Sequence, residues 1–426
     1  MKNSGSEIQK EIPFIESIPK NWRLIPNRWL FKEDGKKVGA DWEKYQLLSL
    51  TTTGVKERNI DDVGGKVPTS YENYQTVKKG QMIFCLFDLD CSAVFSGISK
   101  YNGMITSAYD VFSATDLITN NYIDYWFRYI FSNRYYMMYS KNIRYSVASD
   151  IFKGLKTPVP PISKQQRIAE VLDEKCGKID KLIENEQKQI EKMKEYKQSV
   201  ITCAVTKGLD KSAPLKDSGI DWIGEIPKSW RVCPLKYCVQ ANMESLSEKE
   251  DDNLPVNYID ISSVNNCGEI NNIQEFLFKD APSRARRIVK AGDIIISTVR
   301  TYLKAIAKIT DEYSDCICST GFAVLTPNNM CDKNFLYYAL FSNVFTSKVE
   351  TYSNGISYPA INCGVLVSLS IILPSIEEQK QIADYLDEKC GKIDEVISIK
   401  QRKIEKLQEY KKSLIYEYVT GKKEVG

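Results

Sequence analysis

The chain of 426 residues contains no histidine. Histidine is the side chain whose unperturbed pKa lies closest to neutral pH, and it supplies the base of many catalytic sites. Its absence excludes Ser-His-Asp triads, HEXXH zinc sites and nucleases built on a catalytic histidine. A Gly-x4-Gly-Lys-Ser/Thr phosphate loop is missing as well. We therefore expect no catalytic site in this chain.

Long apolar runs are also missing. No apolar stretch approaches the roughly 18 residues that a membrane-spanning helix needs, and the N-terminal residues are polar. These features predict a protein without membrane anchor or signal peptide, located in the cytoplasm. The twelve cysteines contain no CxxC pair, so we expect reduced thiols rather than a zinc site or a disulfide framework.

The chain has little excess charge of either sign. It carries 58 Lys and Arg against 55 Asp and Glu, a net charge of +3. A balance this close to neutral does not by itself indicate a nucleic-acid binder. Any basic surface must therefore be local, and we expect it outside the long helices described next.

What the sequence does contain is a long internal repeat. Leu172–Asp180 and Leu386–Asp394 both read LDEKCGKID, 214 residues apart. At the same offset, Gln165–Thr206 and Gln379–Thr420 share 24 identities in 42 positions. The chain is therefore an internal duplication.

Each copy of this repeat has the pattern of one long helix. Apolar residues recur at alternating four- and three-residue steps from Ile179 and from Ile393, which is the seam of a coiled coil. Polar residues interrupt the two seams at Glu186, Lys197, Lys400 and Lys411. Buried polar groups on a seam reduce stability but fix the register, so we expect the helices to pair in one alignment.

The ends of both helices carry recognisable signals. Ser163-x-x-Gln166 and Ser375-x-x-Glu378 predict capping boxes at the starts, and Gly208 and Gly421 predict the ends. Both helices also contain an internal glycine, which costs about 1 kcal/mol relative to alanine. Two explanations are open for these glycines, Gly177 and Gly391: close approach of another backbone, or a local break.

Each half opens with the same short phrase. Ile18–Arg23 reads IPKNWR and Ile226–Arg231 reads IPKSWR, and we interpret both as tryptophan anchors packed into a core. A strongly diverged region, here called a head, follows in each half. The predicted domains are 1–160 for the first head with its opening segment, 161–208 for the first long helix, 209–225 for a linker, 226–374 for the second head and 375–426 for the second long helix. The predicted fold class is α+β, with two mixed α/β heads joined by two long helices.

Four stretches carry a family resemblance. They are SGIDWIGEIPKSW at 218–230, VKAGDIIISTVR at 289–300, PSIEEQKQIADYLDEKCGKID at 374–394 and LQEYKKSLIYEYVTGK at 407–422. In their order and duplication they resemble the DNA-specificity subunits of bacterial type I restriction–modification systems. The resemblance covers the whole chain, since opening segment, head and helix occur twice in the same order.

This resemblance implies that each head is a target-recognition domain that reads one part of a bipartite site in double-stranded DNA. The two long helices would pair as an antiparallel coiled coil and dock two copies of a methyltransferase subunit, which a restriction–translocase subunit joins. S-adenosylmethionine, ATP and Mg²⁺ would belong to those partners. The chain lacks the Asn/Asp-Pro-Pro-Tyr/Phe motif of adenine methylation and an acidic cluster suited to a nuclease metal, which agrees with a non-catalytic subunit.

Reading duplex DNA requires Arg, Lys, Asn or Gln at base edges and basic groups at phosphates. Arg300 ends the apolar run Ile294–Val299, so we expect it to emerge at a strand end. For each single residue, a solvated surface charge is the competing interpretation. The candidates in the first head are Arg134, Tyr135, Tyr136, Lys141, Asn142, Arg144 and Tyr145; those in the second are Arg284, Arg286, Arg287, Arg300, Tyr302, Lys304, Ser357 and Tyr358.

A second class of function stays open at this point. The chain could be a non-catalytic coiled-coil adaptor or a free-standing DNA-binding regulator. Salt-dependent binding to a bipartite site that requires a methyltransferase partner favours the specificity subunit. A stable complex without nucleic acid favours the adaptor.

Overall fold

The computed structural model describes residues 5–52, 54–60, 70–140, 145–355 and 357–425. The chain divides into two compact units, Met1–Glu186 with Arg402–Gly426, and Gln187–Gln401. Each unit contains one head. Each long helix, α5 (Ile162–Lys207) and α9 (Ile376–Val419), contributes residues to both units.

The head of the first unit is built on an antiparallel four-stranded sheet in the order β2-β9-β6-β7, with the pairs β1/β10, β3/β4 and β5/β8 beside it. Its helices are α1 (Gly5–Glu11), α2 (Asn27–Leu30), α3 (Asn120–Ser132) and α4 (Ser149–Gly154). Its strands are β1 (Arg23–Pro26), β2 (Phe31–Glu33), β3 (Leu48–Thr51), β4 (Gly54–Glu57), β5 (Gln75–Val77), β6 (Met82–Phe84), β7 (Ser96–Ile98), β8 (Gly103–Ile105), β9 (Asp110–Ala114) and β10 (Lys156–Val159).

The head of the second unit repeats this plan. Its sheet β14-β21-β18-β19 matches β2-β9-β6-β7, and β13/β22 matches β1/β10. A second sheet, β16-β15-β20-β17, contains one parallel pair, β15/β20. The strands are β11 (Leu215–Asp217), β12 (Glu225–Pro227), β13 (Arg231–Pro234), β14 (Val239–Ala241), β15 (Pro255–Ile259), β16 (Gln274–Leu277), β17 (Ala285–Ile288), β18 (Ile294–Ser297), β19 (Ile306–Lys308), β20 (Cys316–Ser319), β21 (Phe322–Pro327) and β22 (Ser370–Leu373); the helices are α6 (Lys333–Phe341), α7 (Asn343–Thr351) and α8 (Cys363–Ser368).

One mostly apolar helix forms the centre of each core. Helix α3 is apolar on most sides, as expected for a buried helix, and Tyr122, Trp126 and Phe127 are almost inaccessible. Helix α6 takes the same place in the second unit, with Phe335 and Leu340 fully buried. The heads are therefore held by apolar packing against their sheets and against the long helices.

The opening phrases are anchors, as interpreted from the sequence. Trp22 and Trp230 are 5% and 1% exposed. Trp230 packs against Gly208 at the end of α5, and Trp22 packs against Gly421 beyond the end of α9. Both glycines have positive φ, and a Cβ atom there would stand 3.1 Å from the tryptophan ring, so glycine is required for both reasons.

The long helices pair antiparallel in each unit. In the first unit Lys411 lies 2.6 Å from Asp180, and Lys403 lies 2.6 Å from Glu186. In the second unit Lys197 lies 2.6 Å from Asp394, and Lys400 donates a hydrogen bond to Gln189. The four polar seam residues predicted to fix the register therefore each find a partner on the opposite helix. The fold class is confirmed: two mixed heads, an antiparallel helix pair and an internal duplication.

The predicted capping box at Ser163 is wrong. Helix α5 begins at Ile162, because Pro161 already occupies the cap position, and Ser163 lies inside the first turn. At the second helix the Ser375 hydroxyl does accept a hydrogen bond from the Glu378 amide at 3.3 Å. The Glu378 carboxylate does not complete the box, since it accepts from the Trp230 indole at 2.8 Å.

The side chain that fixes each helix start is a buried glutamine. Gln165 is inaccessible to solvent; its Nε2 donates to the carbonyls of Leu117 (3.0 Å) and Pro160 (2.9 Å), and its Oε1 accepts from the Thr119 amide (2.7 Å). Gln379, at the equivalent position, is 1% exposed. Its Nε2 donates to the carbonyls of Met330 (3.2 Å) and Pro374 (3.1 Å), and its Oε1 accepts from the Asp332 amide (2.7 Å).

A second duplicated contact joins each head to its helices. The Tyr125 hydroxyl donates to Asp173 at 2.7 Å, and the Tyr338 hydroxyl donates to Asp387 at 2.7 Å. Asp173 and Asp387 are equivalent in the repeat. These equivalent contacts tie α3 to α5 in the first unit and α6 to α9 in the second.

The local break offered as one explanation for the internal glycines is wrong, and no other described part of this chain approaches them closely. The helices run without a break through Gly177 and Gly391, and a Cβ atom at either position would have no neighbour within 4 Å. Both glycines therefore face open space in this chain.

Candidate nucleic-acid interface

The second unit exposes a strained turn directly after the central strand β18. Arg300 and Lys304 flank a short 3-10 turn, and both have left-handed backbone conformations, with φ of +52° and +49°. The turn is held by a hydrogen bond of 2.8 Å from the Thr301 hydroxyl to Ser353. Left-handed non-glycine residues are uncommon and often mark functional sites.

Arg300 emerges into a cleft, as predicted for a residue at a strand end. Its guanidinium lies over the ring of Tyr358, 4.9 Å from the centroid, and Tyr358 is 65% exposed. Arg284, on the loop before β17, lines the same cleft. We call this cleft of about 350 Å³, lined by Asp260, Ile261, Arg284, Val299, Arg300 and Tyr358, the arginine cleft.

Asp260 gives the arginine cleft a negative charge that the sequence reasoning missed. Partial burial acts to raise the pKa of Asp260, but hydrogen bonds from Ser262 and Tyr258 outweigh it and hold this pKa below its usual value. Asp260 therefore stays ionised at neutral pH. Its position directly after the buried strand β15, with Ser262 and Ser263 two and three residues further on, was the available signal.

The arginine cleft has the chemistry of base-edge recognition. Arginine pairs with guanine through two hydrogen bonds, and an aspartate accepts a hydrogen bond from the amino group of cytosine. The stacking on Tyr358 holds the Arg300 guanidinium in a defined orientation. The cleft can therefore present two donors and one acceptor to the edge of a duplex.

The remaining candidates of the second head are more dispersed. Tyr302 and Ser357 are exposed, while Lys304 is within 3.5 Å of Glu350. Arg286 is half-buried with its guanidinium 4.7 Å from the Phe278 ring centroid. Arg287 is half-buried as well, and its Nε has no hydrogen-bond partner. Contact of these residues with DNA stays a prediction.

In the first head, Lys141, Asn142 and Arg144 lie outside the described residues. Arg134 is exposed with φ of +55° at the end of α3, and Tyr145 is half-buried with φ of +50°.

Two of the candidate tyrosines have packing roles. Tyr135 stacks on Phe14 with ring centroids 4.0 Å apart. Tyr136 is 3% exposed, and its hydroxyl donates to the Leu89 carbonyl at 2.9 Å. Burial raises the pKa of Tyr136, so this hydroxyl remains a neutral donor.

The counterpart of Arg300 in the first head is Asp88. Phe84 and Ile296 occupy equivalent places in their sheets, and Asp88 and Arg300 each follow four residues later. Asp88 also has a left-handed conformation, with φ of +48°. The two heads therefore share the exposed turn but carry opposite charges on it.

In the described ranges, no group of three or more Cys, Asp or Glu side chains is arranged to hold a metal ion. Across the same part of the chain, the helices are all too short or too polar to cross a membrane.

Residues 227–409, which contain the whole arginine cleft, match the family model described as the type I restriction modification DNA specificity domain. The chain is 30% identical over 285 residues to the type I restriction enzyme MjaVIII specificity subunit of Methanocaldococcus jannaschii, covering 65% of this chain and 64% of the relative. It is 31% identical over 290 residues to the putative type I restriction enzyme MjaX specificity subunit of the same organism, covering 65% and 61%. The match thus spans slightly under two thirds of each relative.

The fold has a solved counterpart. A chain from a structure of the type I R-M system superposes with a TM-score of 0.67 at 14% identity, covering 95% of this chain and 99% of that chain. The likeness shows that the duplicated fold with two heads and paired long helices is shared with that chain. Residues 227–409 match the specificity-domain family, and the sequence of the chain is similar to those of type I restriction enzyme specificity subunits, as the resemblance implied.

Proposed function

We propose that this chain is the DNA-binding specificity subunit of a type I restriction–modification complex, in which each head reads one part of a bipartite target. The observation that carries the proposal is the arginine cleft, where Arg284, Arg300 and the acceptor Asp260 converge inside the matched specificity domain. The opposite charges of Arg300 and Asp88 on equivalent turns support different base preferences in the two heads.

The paired helices dock two copies of a methyltransferase subunit. Tyr196 and Tyr410 are equivalent in the repeat, lie on α5 and α9, and are 51% and 57% exposed. Tyrosine is enriched in protein interfaces, and a duplicated exposed tyrosine suits two copies of one partner. The open glycines Gly177 and Gly391 are duplicated in the same way and permit close approach of a second protein.

The chain itself is not catalytic in this proposal. S-adenosylmethionine, ATP and Mg²⁺ are bound by the methyltransferase and restriction–translocase subunits, and the complex acts in the cytoplasm. The role of this chain is to bind and orient DNA.

The test is reconstitution. The purified chain alone is expected neither to methylate nor to cleave DNA, whereas addition of the methyltransferase subunit and S-adenosylmethionine yields methylation at one bipartite sequence. Replacement of both Tyr196 and Tyr410 by alanine weakens assembly by about tenfold or more, because interface tyrosines often contribute more than 1 kcal/mol. Turnover by the rigorously purified single chain, or a stable complex that never recognises a DNA sequence, would contradict the proposal.

A further inference from the structure

Three charged side chains of the arginine cleft keep hydrogen-bonding capacity that the protein itself does not use. Arg284 and Arg300 are exposed, and neither guanidinium forms an ion pair with a carboxylate of the described residues. Asp260 has no Lys or Arg partner in that part of the chain either. These groups are therefore available to a ligand.

The Asp260 carboxylate is oriented by its neighbours and can accept one more hydrogen bond. Its Oδ1 accepts from the Ser262 amide (3.0 Å) and the Ser262 hydroxyl (2.8 Å), and its Oδ2 accepts from the Tyr258 hydroxyl (3.0 Å). An ionised carboxylate has about four acceptor sites, so one remains free. Because the group is ionised at neutral pH, this remaining site accepts and does not donate.

The Arg300 guanidinium is oriented by the segment that carries Tyr358. That segment is tied to the strand leading to Arg300 by a hydrogen bond of 2.8 Å from the Ile361 amide to the Thr298 carbonyl. The Tyr358 ring therefore has a fixed place beneath the guanidinium, 4.9 Å from ring centroid to guanidinium carbon. A planar guanidinium held in this way presents two parallel N–H donors with little further loss of side-chain entropy.

This set of donors and acceptor matches the major-groove edge of a G·C base pair. Guanine presents two neighbouring acceptors there, N7 and O6, and cytosine presents the donor of its amino group. The two N–H donors of Arg300 match the guanine acceptors, and the free site of Asp260 matches the cytosine amino group. In an A·T pair the adenine amino group stands beside N7, so one N–H donor of Arg300 would face another donor.

A phosphate group would use only part of the arginine cleft. Its oxygens accept hydrogen bonds, so it would bind the arginines but would leave the free acceptor site of Asp260 without a donor and beside a like charge. The edge of a G·C pair satisfies both the donors and the acceptor. The chemistry of the cleft therefore favours a base pair over the DNA backbone.

We infer that the second head reads a G·C base pair in the major groove, with Arg300 on the guanine and Asp260 on the paired cytosine. This inference deepens the proposed function and rests on it, because that function identifies the ligand as duplex DNA. Arg284, the second arginine of the cleft, contacts a backbone phosphate beside the same pair.

Base analogues test the inference on the unaltered protein. The target is mapped by methylome sequencing in cells that supply the partner subunits, and the half-site of the second head is the one that changes when residues 226–374 are exchanged for the head of a related specificity subunit. The assembled complex is then titrated with duplexes altered at single positions of that half-site.

At one G·C pair, 7-deazaguanine is expected to weaken binding by about tenfold, because it lacks the N7 acceptor. Hypoxanthine in place of the same guanine is the matched control, since it keeps N7 and O6 and lacks only the amino group in the minor groove; it should bind like guanine. A half-site without a G·C pair, or a loss with hypoxanthine and none with 7-deazaguanine, would overturn the inference and leave the proposed function intact.

Variants then assign the two contacts. Arg300→Ala should no longer distinguish 7-deazaguanine from guanine at that pair, while its response to 7-deazaguanine in the other half-site stays that of the wild type. Asp260→Asn keeps an oxygen for the Ser262 amide and should lower the preference for G·C over A·T at the same pair by about tenfold. Lys279→Ala changes an exposed residue of the same head and should alter neither measurement.

The salt dependence of binding separates base contacts from phosphate contacts. Arg284→Ala should weaken binding to all duplexes equally and reduce the salt dependence. The same uniform weakening in Arg300→Ala would place Arg300 on a phosphate and reject the inferred base contact. A wild-type complex that binds every sequence alike would instead refute the proposed function, and the base-pair contact with it.

Discussion

The two heads share their internal contacts and differ on their exposed turns. Gln165 and Gln379 make the same three backbone hydrogen bonds, and both heads attach to the helices through a Tyr–Asp pair. On the equivalent left-handed turns, however, the first head carries Asp88 and the second carries Arg300. The contacts between each head and the long helices are therefore the same in both units, whereas the residues on the exposed turns differ. This is the pattern expected if the two turns recognise different DNA sequences.

The largest loss of stability should follow removal of the buried tryptophan that anchors the opening segment of each unit. Trp230→Ala is expected to lower the free energy of unfolding by about 3–5 kcal/mol, because a fully buried tryptophan is lost. Trp22→Ala should cost a similar amount if the two units are equivalent. Urea denaturation followed by circular dichroism measures both, with Trp29→Ala as control, since Trp29 is 64% exposed. An effect of Trp230→Ala as small as that of the control would contradict the anchor role.

The two buried glutamines, Gln165 and Gln379, allow the stability of the two helix starts to be compared. Gln165→Ala and Gln379→Ala should each cost about 2 kcal/mol, since three backbone groups near each helix start lose their partner. The neighbouring Gln166 is exposed, and Gln166→Ala should leave stability almost unchanged. Thermal and urea unfolding would separate the outcomes, and a large cost at one glutamine alone would show that the two units are not equivalent.

Substitutions on the two equivalent turns should affect different half-sites of the DNA target. Arg300→Ala is expected to weaken binding of the complex to its cognate site by about tenfold, or nearly 1.4 kcal/mol, with the loss confined to one half-site. Asp88→Ala should alter preference at the other half-site only. Gel-shift titrations with each half-site scrambled in turn measure this, and Lys279→Ala serves as a surface control. Equal losses of affinity at both half-sites after either substitution would contradict the assignment of one half-site to each head.

The smallest effect concerns the open glycines. Gly177→Ala and Gly391→Ala should each raise the free energy of unfolding by about 0.5–1 kcal/mol, because alanine favours the helix and meets no neighbour. If the glycines permit close approach of a partner, the same variants bind the methyltransferase subunit more weakly. Destabilisation of the isolated chain would mean that the glycines serve its own fold.

The sequence predicted the duplicated framework well because that framework rests on periodic, repeated residues. The heptad seam, the opening tryptophans and the terminal glycines all follow local rules of helix pairing and capping. The capping box at Ser163 failed because Pro161 and the buried Gln165 hold that helix start through contacts that a local pattern does not reveal. The role of the internal glycines stayed open because the repeat shows where they lie but not which neighbours they have.

The candidate site was harder to foresee. The position of Arg300 after an apolar strand was a usable local signal, but its neighbours Asp260 and Tyr358 come from distant parts of the chain. The packing roles of Tyr135 and Tyr136 likewise depend on Phe14 and Leu89, which no spacing rule connects to them. Long-range contacts therefore decided which candidates converge.

The central claim, that each half reads its own part of the target, has one direct test. Residues 21–160 are exchanged for the corresponding head of another family member, and methylated sites are mapped genome-wide in cells that supply the partner subunits. The account predicts that one half-site changes while the other half-site and the spacing between them stay the same. A change in both half-sites, or in neither, would contradict it.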